Sequence, residues 1–204
     1  MKIDKVCSIL SLVLVTLQLL LILFSWVLTA AIPESNLRSI LSNEGIRWFF
    51  GHFTESLLSP VLVWLLLLSV ASGTVKSSGL LSIFSSQRKK DENLSYRHRY
   101  AFRIVLAELI AVVAVLILLT CISHAPLLSV TGNLFPSSFS ASIVPVVAFS
   151  LVLFSVTYGV LSGTFTSLVS VFRSLYEGII AAAPLFLLYI FAAQLWSSFL
   201  FVFY

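Results

Sequence analysis

Six side chains of this sequence stand out as able to do chemistry: His52, His98, His124, Glu108, Gln18 and Gln194. A shared metal site would need the histidines side by side, but long apolar runs divide them among three connecting segments, on both faces of the topology derived below, so no metal ligand is assigned. The sequence also lacks a phosphate-cradling glycine loop, a dinucleotide fingerprint and a nucleophile elbow. It therefore argues against an enzyme, assigns no catalytic residue and calls for no cofactor.

Glu108 is the one carboxylate inside an apolar run, the setting in which an ionisable group reads as functional by default. A proton relay is one role for it. The other is structural, because Arg103 lies about 7.5 Å back along a helix and its head can reach toward the membrane edge. Gln18 and Gln194 are polar groups in equally apolar surroundings, and each needs an internal partner, either a neighbouring helix or a bound solute. Tyr158, Gly159, Ser162 and Gly163 form a small-residue patch in which Gly159 and Gly163 have the GxxxG spacing of close helix packing. Cys7 and Cys121 fall near opposite membrane faces, too far apart for a disulfide.

The elements that must position these residues follow from composition. Of 204 residues 59% are hydrophobic and 10% charged, too few charges to cover a water-soluble surface. In hydrocarbon only helices and closed barrels satisfy their own backbone, and the leucine-rich runs lack the alternation of barrel strands. The expected fold is all-α: a polytopic helical membrane protein with about five transmembrane helices plus interfacial helices, in a single domain over 1–204.

The spans are placed at 6–32, 57–75, 101–122, 142–163 and 179–204. The first is too long for the hydrophobic region of a signal peptide and reads as a retained helix. Glu34 to Ser59 alternates aromatic and polar residues, as short helices in the headgroup plane do. Ser69, Ala71, Ser72 and Gly73 give the second span a small-residue face. Ser123 to Ala141 reads as an outer loop, and Thr164 to Gly178 as an inner amphipathic connector.

Residues 87–103, QRKKDENLSYRHRYAFR, form a basic loop between the second and third spans. With alternating crossings ten of the twelve Lys and Arg residues share its side, against Arg38 and Arg47 opposite. That bias marks the loop as cytoplasmic. The amino terminus is then cytoplasmic and the carboxyl terminus exported, in a membrane of the bacterial inner type. The net charge of +4 is explained by an anionic leaflet, and no nucleic-acid partner is expected.

Two stretches resemble the p-aminobenzoyl-glutamate transporter (AbgT) family. SNEGIRWFF with SLLSPVLVWLLLLSVASGTVKSSGL, within Leu41 to Leu80, is similar to its first block. SIVPVV, VTYGVLSGT and FAAQLWSSF, between Ser142 and Phe203, are similar to a later one. The resemblance implies secondary, ion-coupled transport of p-aminobenzoyl-glutamate or sulfonamide-like aryl anions. With the polar groups inside the spans, Gln194, Tyr158, Gly159, Gly163 and Glu108 are the candidates for lining or packing a pathway. It also implies two substrate-binding helical hairpins, for which the basic linker between Leu80 and Ala101 and the ten residues after Gln194 leave no room, and Lys76 stands where an acidic residue is usual. Several copies of the chain, or a partner subunit bearing the hairpins, would complete a carrier. The alternative is a membrane scaffold or accessory subunit that does not transport and acts by oligomerisation.

Overall fold

A computed structural model describes residues 2–32, 37–81, 96–121 and 138–204. These residues form seven helices and no strand: α1 (Lys2–Ala31), α2 (Asn43–Gly51), α3 (Phe53–Leu57), α4 (Pro60–Ser78), α5 (Tyr96–Cys121), α6 (Ser138–Ser162) and α7 (Leu168–Phe203). The five long ones are long and apolar enough to cross a bilayer, as the sequence predicts. The chain is thus an all-α, multi-pass membrane protein. Most of the basic loop, His124 and residues 123–137 of the predicted outer loop lie outside the described residues, while the last four residues expected in that loop, 138–141, are the first of α6.

Two boundaries differ from the predicted ones. The connector expected at Thr164 to Gly178 is helical from Leu168 onward and continues into the last span without interruption. Gly178 sits inside a helix that its neighbours propagate, and only Gly163 and the short segment after it break the chain. At 36 residues, α7 is about 54 Å long at 1.5 Å per residue, well beyond the ~30 Å hydrocarbon thickness. Its first turns, with Arg173 and Glu177, therefore extend past the apolar layer. In the same way α5 begins at Tyr96, so Arg97, His98 and Arg99, assigned to the loop, belong to its first turn.

The helices fall into two compact units, residues 1–63 with 182–204 and residues 64–181. In the first, α1 and the end of α7 run in the same direction: Gln18 meets Ser198, and Leu21 and Ile22 lie against the cluster of Ile40, Phe201 and Val202. The segment before α2 closes the carboxyl end of α7. Arg38 donates its backbone N–H to the Val202 carbonyl at 3.1 Å, and its guanidinium lies 5.8 Å from the Phe201 ring centre. A helix end has carbonyls without intrahelical partners and a partial negative charge, so this cation suits the position.

Helix α2 starts where Ser42 accepts a hydrogen bond from the Gly45 N–H at 3.0 Å, an N-cap. Gly45 is buried because the chain at Ile40 passes where a side chain would stand, with the Ile40 Cα 2.6 Å from an added Cβ. That close approach brings Trp48 onto Phe201, stacked at 4.3 Å between centroids and 18° between planes. Below α3, the Tyr189 hydroxyl donates to the Leu57 carbonyl at 2.8 Å. Its single proton is used there, so Ser59 donates to the Tyr189 oxygen, also at 2.8 Å.

In the second unit α5 and α6 pack antiparallel over Ala101, Val105, Phe154 and Tyr158, with Leu80 against the same cluster. Helix α4 and the start of α7 cross at Gly73 and Gly178, where each glycine occupies the space a Cβ of the other would need. Ser69, Ala71 and Gly73 are buried as their small size predicts, whereas Ser72 is exposed. Ser77 donates to Glu177 at 2.8 Å and Arg173 pairs with the same carboxylate at 3.1 Å. Lys76, Arg97, Arg99, Arg103 and Arg173 consequently gather at one end of this unit, where α4 finishes, α5 begins, α6 finishes and α7 begins.

Candidate functional site

The candidate pathway residues divide between the two units. Gln194 belongs to the first; Glu108, Tyr158, Gly159 and Gly163 belong to the second. Glu108 and Tyr158 come together on the α5–α6 interface. The Thr157 hydroxyl donates to Glu108 Oε1 at 2.9 Å, while Oε2 is buried without a partner. Arg103 is exposed, and Glu108 forms no ion pair among the described residues. Its structural partner is therefore a hydroxyl on the facing helix, a contact that sequence reasoning missed because 49 residues separate the two.

Tyr158 is almost wholly buried, and its hydroxyl lies 2.7 Å from His98 Nδ1. His52, in the other unit, sits 3.9 Å from Glu55 on an exposed surface. No three His, Cys, Asp or Glu side chains gather in metal-binding geometry among the described residues. Cys7 is a buried free thiol.

Gly159 and Gly163 do not act as a helix-packing pair. Gly163 follows the last residue of α6 with φ of +85°, a left-handed turn that glycine adopts at little cost. The chain then folds back so that the Phe165 N–H donates to the Gly159 carbonyl at 2.8 Å, and the Phe165 ring occupies the space beside Gly159. The spacing read as GxxxG is a helix stop with an aromatic lid. A glycine beside Ser and Thr just after an apolar run is the sequence signal for such a stop.

Gln194 stands apart chemically. It is 6% exposed, and neither Oε1 nor Nε2 has a hydrogen-bond partner among the described residues. One helical turn along α7 lies Ser198, fully buried, whose hydroxyl accepts from Gln18 Nε2 at 2.8 Å. Gln18 Oε1 is again buried and unpartnered. The helix partner expected for Gln18 is thus present, whereas Gln194 has none among the described residues.

Two open grooves lie on these helix pairs. One, of about 880 Å³, runs between α1 and α7 and is lined by residues such as Leu14, Leu17, Leu21, Ala192, Leu195 and Phe199. The other, about 510 Å³, lies between α5 and α6 beside Val112, Pro145 and Phe149. Both walls are almost entirely apolar, so each groove suits an acyl chain or an apolar helix face better than a charged solute. No family model, curated protein or solved structure matches the chain.

Proposed function

We propose that the chain is an AbgT-like membrane carrier homologue that takes part in ion-coupled movement of a small aryl anion, of p-aminobenzoyl-glutamate or sulfonamide-like chemistry, across a bacterial-type cytoplasmic membrane. The observation that carries this reading is Gln194. Its amide is enclosed within an apolar span with neither polar atom paired among the described residues, and it stands in the FAAQLW segment on which the family resemblance rests. A buried amide unpaired while the helices are together suits a group that engages solute when they part, because unpaired polar atoms in hydrocarbon are unfavourable and persist where function uses them.

The orientation that accompanies this reading has a cytoplasmic amino terminus and an exported carboxyl terminus. It draws support from the five cations gathered at one end of the second unit, the end assigned to the cytoplasm by charge bias. In this proposal the carrier is completed by further copies of the chain or by a hairpin-bearing partner subunit.

The apolar grooves favour a second reading, a non-transporting accessory subunit whose helices complete a larger assembly. Helices associate in lipid by shape and by polar contacts between them, and the α1–α7 groove offers a four-turn apolar seam on α1 from Leu14 to Val27. Purified protein in liposomes under an imposed proton or sodium gradient separates the two. Uptake of p-aminobenzoyl-glutamate that falls on Gln194→Leu substitution supports the carrier. No uptake, alone or with proteins co-purified from the native membrane, leaves the accessory role.

A further inference from the structure

The amides of Gln18 and Gln194, together with the Ser198 hydroxyl, create a demand that the helices of the first unit do not meet. Among the described residues three amide atoms have no partner: Gln18 Oε1, Gln194 Oε1 and Gln194 Nε2. Turning the Gln18 amide over would only exchange which of its two atoms is left, since the other faces Ser198 in either assignment. None of the three atoms has exposed surface, so neither a lipid headgroup nor a second copy of the chain reaches them from outside. Whatever satisfies them is small and sits inside.

The spacing sets the size of the guest. Gln194 and Ser198 are separated by one turn of α7, about 6 Å along the axis, and Gln18 is joined to Ser198. A single oxygen making two hydrogen bonds of about 2.8 Å bridges roughly 5 Å. The unmet atoms are two carbonyl oxygens and the Gln194 nitrogen, which carries two N–H donors. A water molecule supplies two O–H donors for the two carbonyl oxygens and a lone pair for one of the Gln194 N–H groups. Buried waters typically hold two to four such partners.

We infer that the first unit contains an internal hydration site at Gln18, Gln194 and Ser198, within the α1–α7 pair and between apolar side chains. The site is a property of this helix pair and stands whether or not the chain moves an aryl anion. The water joins the first span to the last where direct contacts leave the amides unmet.

Water-edited solid-state NMR of the protein in lipid bilayers tests the inference with no reagent that must enter the helix pair. With glutamine side-chain nitrogens labelled, the chain carries three such amides, Gln18, Gln87 and Gln194, and the single variants Gln18→Leu and Gln194→Leu assign the two in the spans by the signal each removes. Magnetisation should pass from water to the Gln18 and Gln194 amide protons ahead of transfer from lipid chains, because a held water lies within hydrogen-bond distance of them. Amides that receive magnetisation from lipid chains and none from water overturn the site. If the variants do not accumulate, the native protein decides: fewer than two of the three amide signals coupled to water overturns the site. The spectra are read without substrate, so a chain that transports nothing still gives the answer.

Discussion

Gly73 on α4 and Gly178 on α7 meet backbone to backbone, each filling the place where a Cβ of the other would stand. Neither helix can shift without opening the pair, because Ser174 and Ser69 carbonyls close the contact from the sides. Gly178→Leu should therefore lower the thermal stability of the detergent-solubilised protein strongly, by about 2–3 kcal/mol, the scale of overpacking in a filled core. Gly51→Ala is the control: nothing lies within 4 Å of an added Cβ there, and helical alanine should leave stability unchanged or raise it by about 0.5 kcal/mol. Equal melting temperatures for the two variants would refute the crossing.

Thr157 and Glu108 call for a double-mutant cycle. Thr157→Val removes the hydroxyl that donates to the carboxylate and should destabilise by about 1–3 kcal/mol, since it leaves a buried acceptor unmet. Glu108→Leu combined with Thr157→Val should recover much of that loss, because replacing both partners by apolar groups removes the demand. Strictly additive effects in chemical denaturation would mean that the two side chains do not interact.

Trp48 on Phe201 ties α2 to the end of α7. Trp48→Ala should cost about 2 kcal/mol or more, from lost burial and a stacked pair worth about 0.5–1.5 kcal/mol. Trp48→Phe keeps a ring in the stack and should retain most of the stability. Proteolysis near Ile40, monitored by mass spectrometry, should rise in the first variant and not in the second.

Orientation is checked by reporters. A fusion partner active only after export, placed after Tyr204, should be active, and one active only in the cytoplasm should be silent. The reverse pattern would invert the positive-inside assignment.

What the sequence disclosed and what it withheld have physical reasons. The five spans were legible because hydrocarbon demands long apolar runs, and Leu12 to Leu23 or Val112 to Leu119 can hardly be anything else. The buried positions of Ser69, Ala71 and Gly73 were legible because only small residues permit helices to approach. The uninterrupted start of α7 was not, since Leu168 to Glu177 is polar enough to resemble a loop and ends at Gly178, a residue that elsewhere stops a helix but here lies inside one. Of the candidate site, the burial of Gln194 and the internal need of Gln18 followed from their surroundings. Their partners did not: Ser198 is 180 residues from Gln18, and one serine among many in this chain bears no local mark of the pairing. The role of Gly163 as a helix stop was hidden by a spacing that two different structures share.

The 180 residues between Gln18 and Ser198 also set a schedule for biogenesis. At roughly 5–20 residues per second of synthesis, α1 enters the bilayer some 10–40 s before its companion leaves the ribosome. Throughout that interval Gln18 is without Ser198, and another group must meet its amide. The earlier helix of the pair completes its contacts only when the later one arrives.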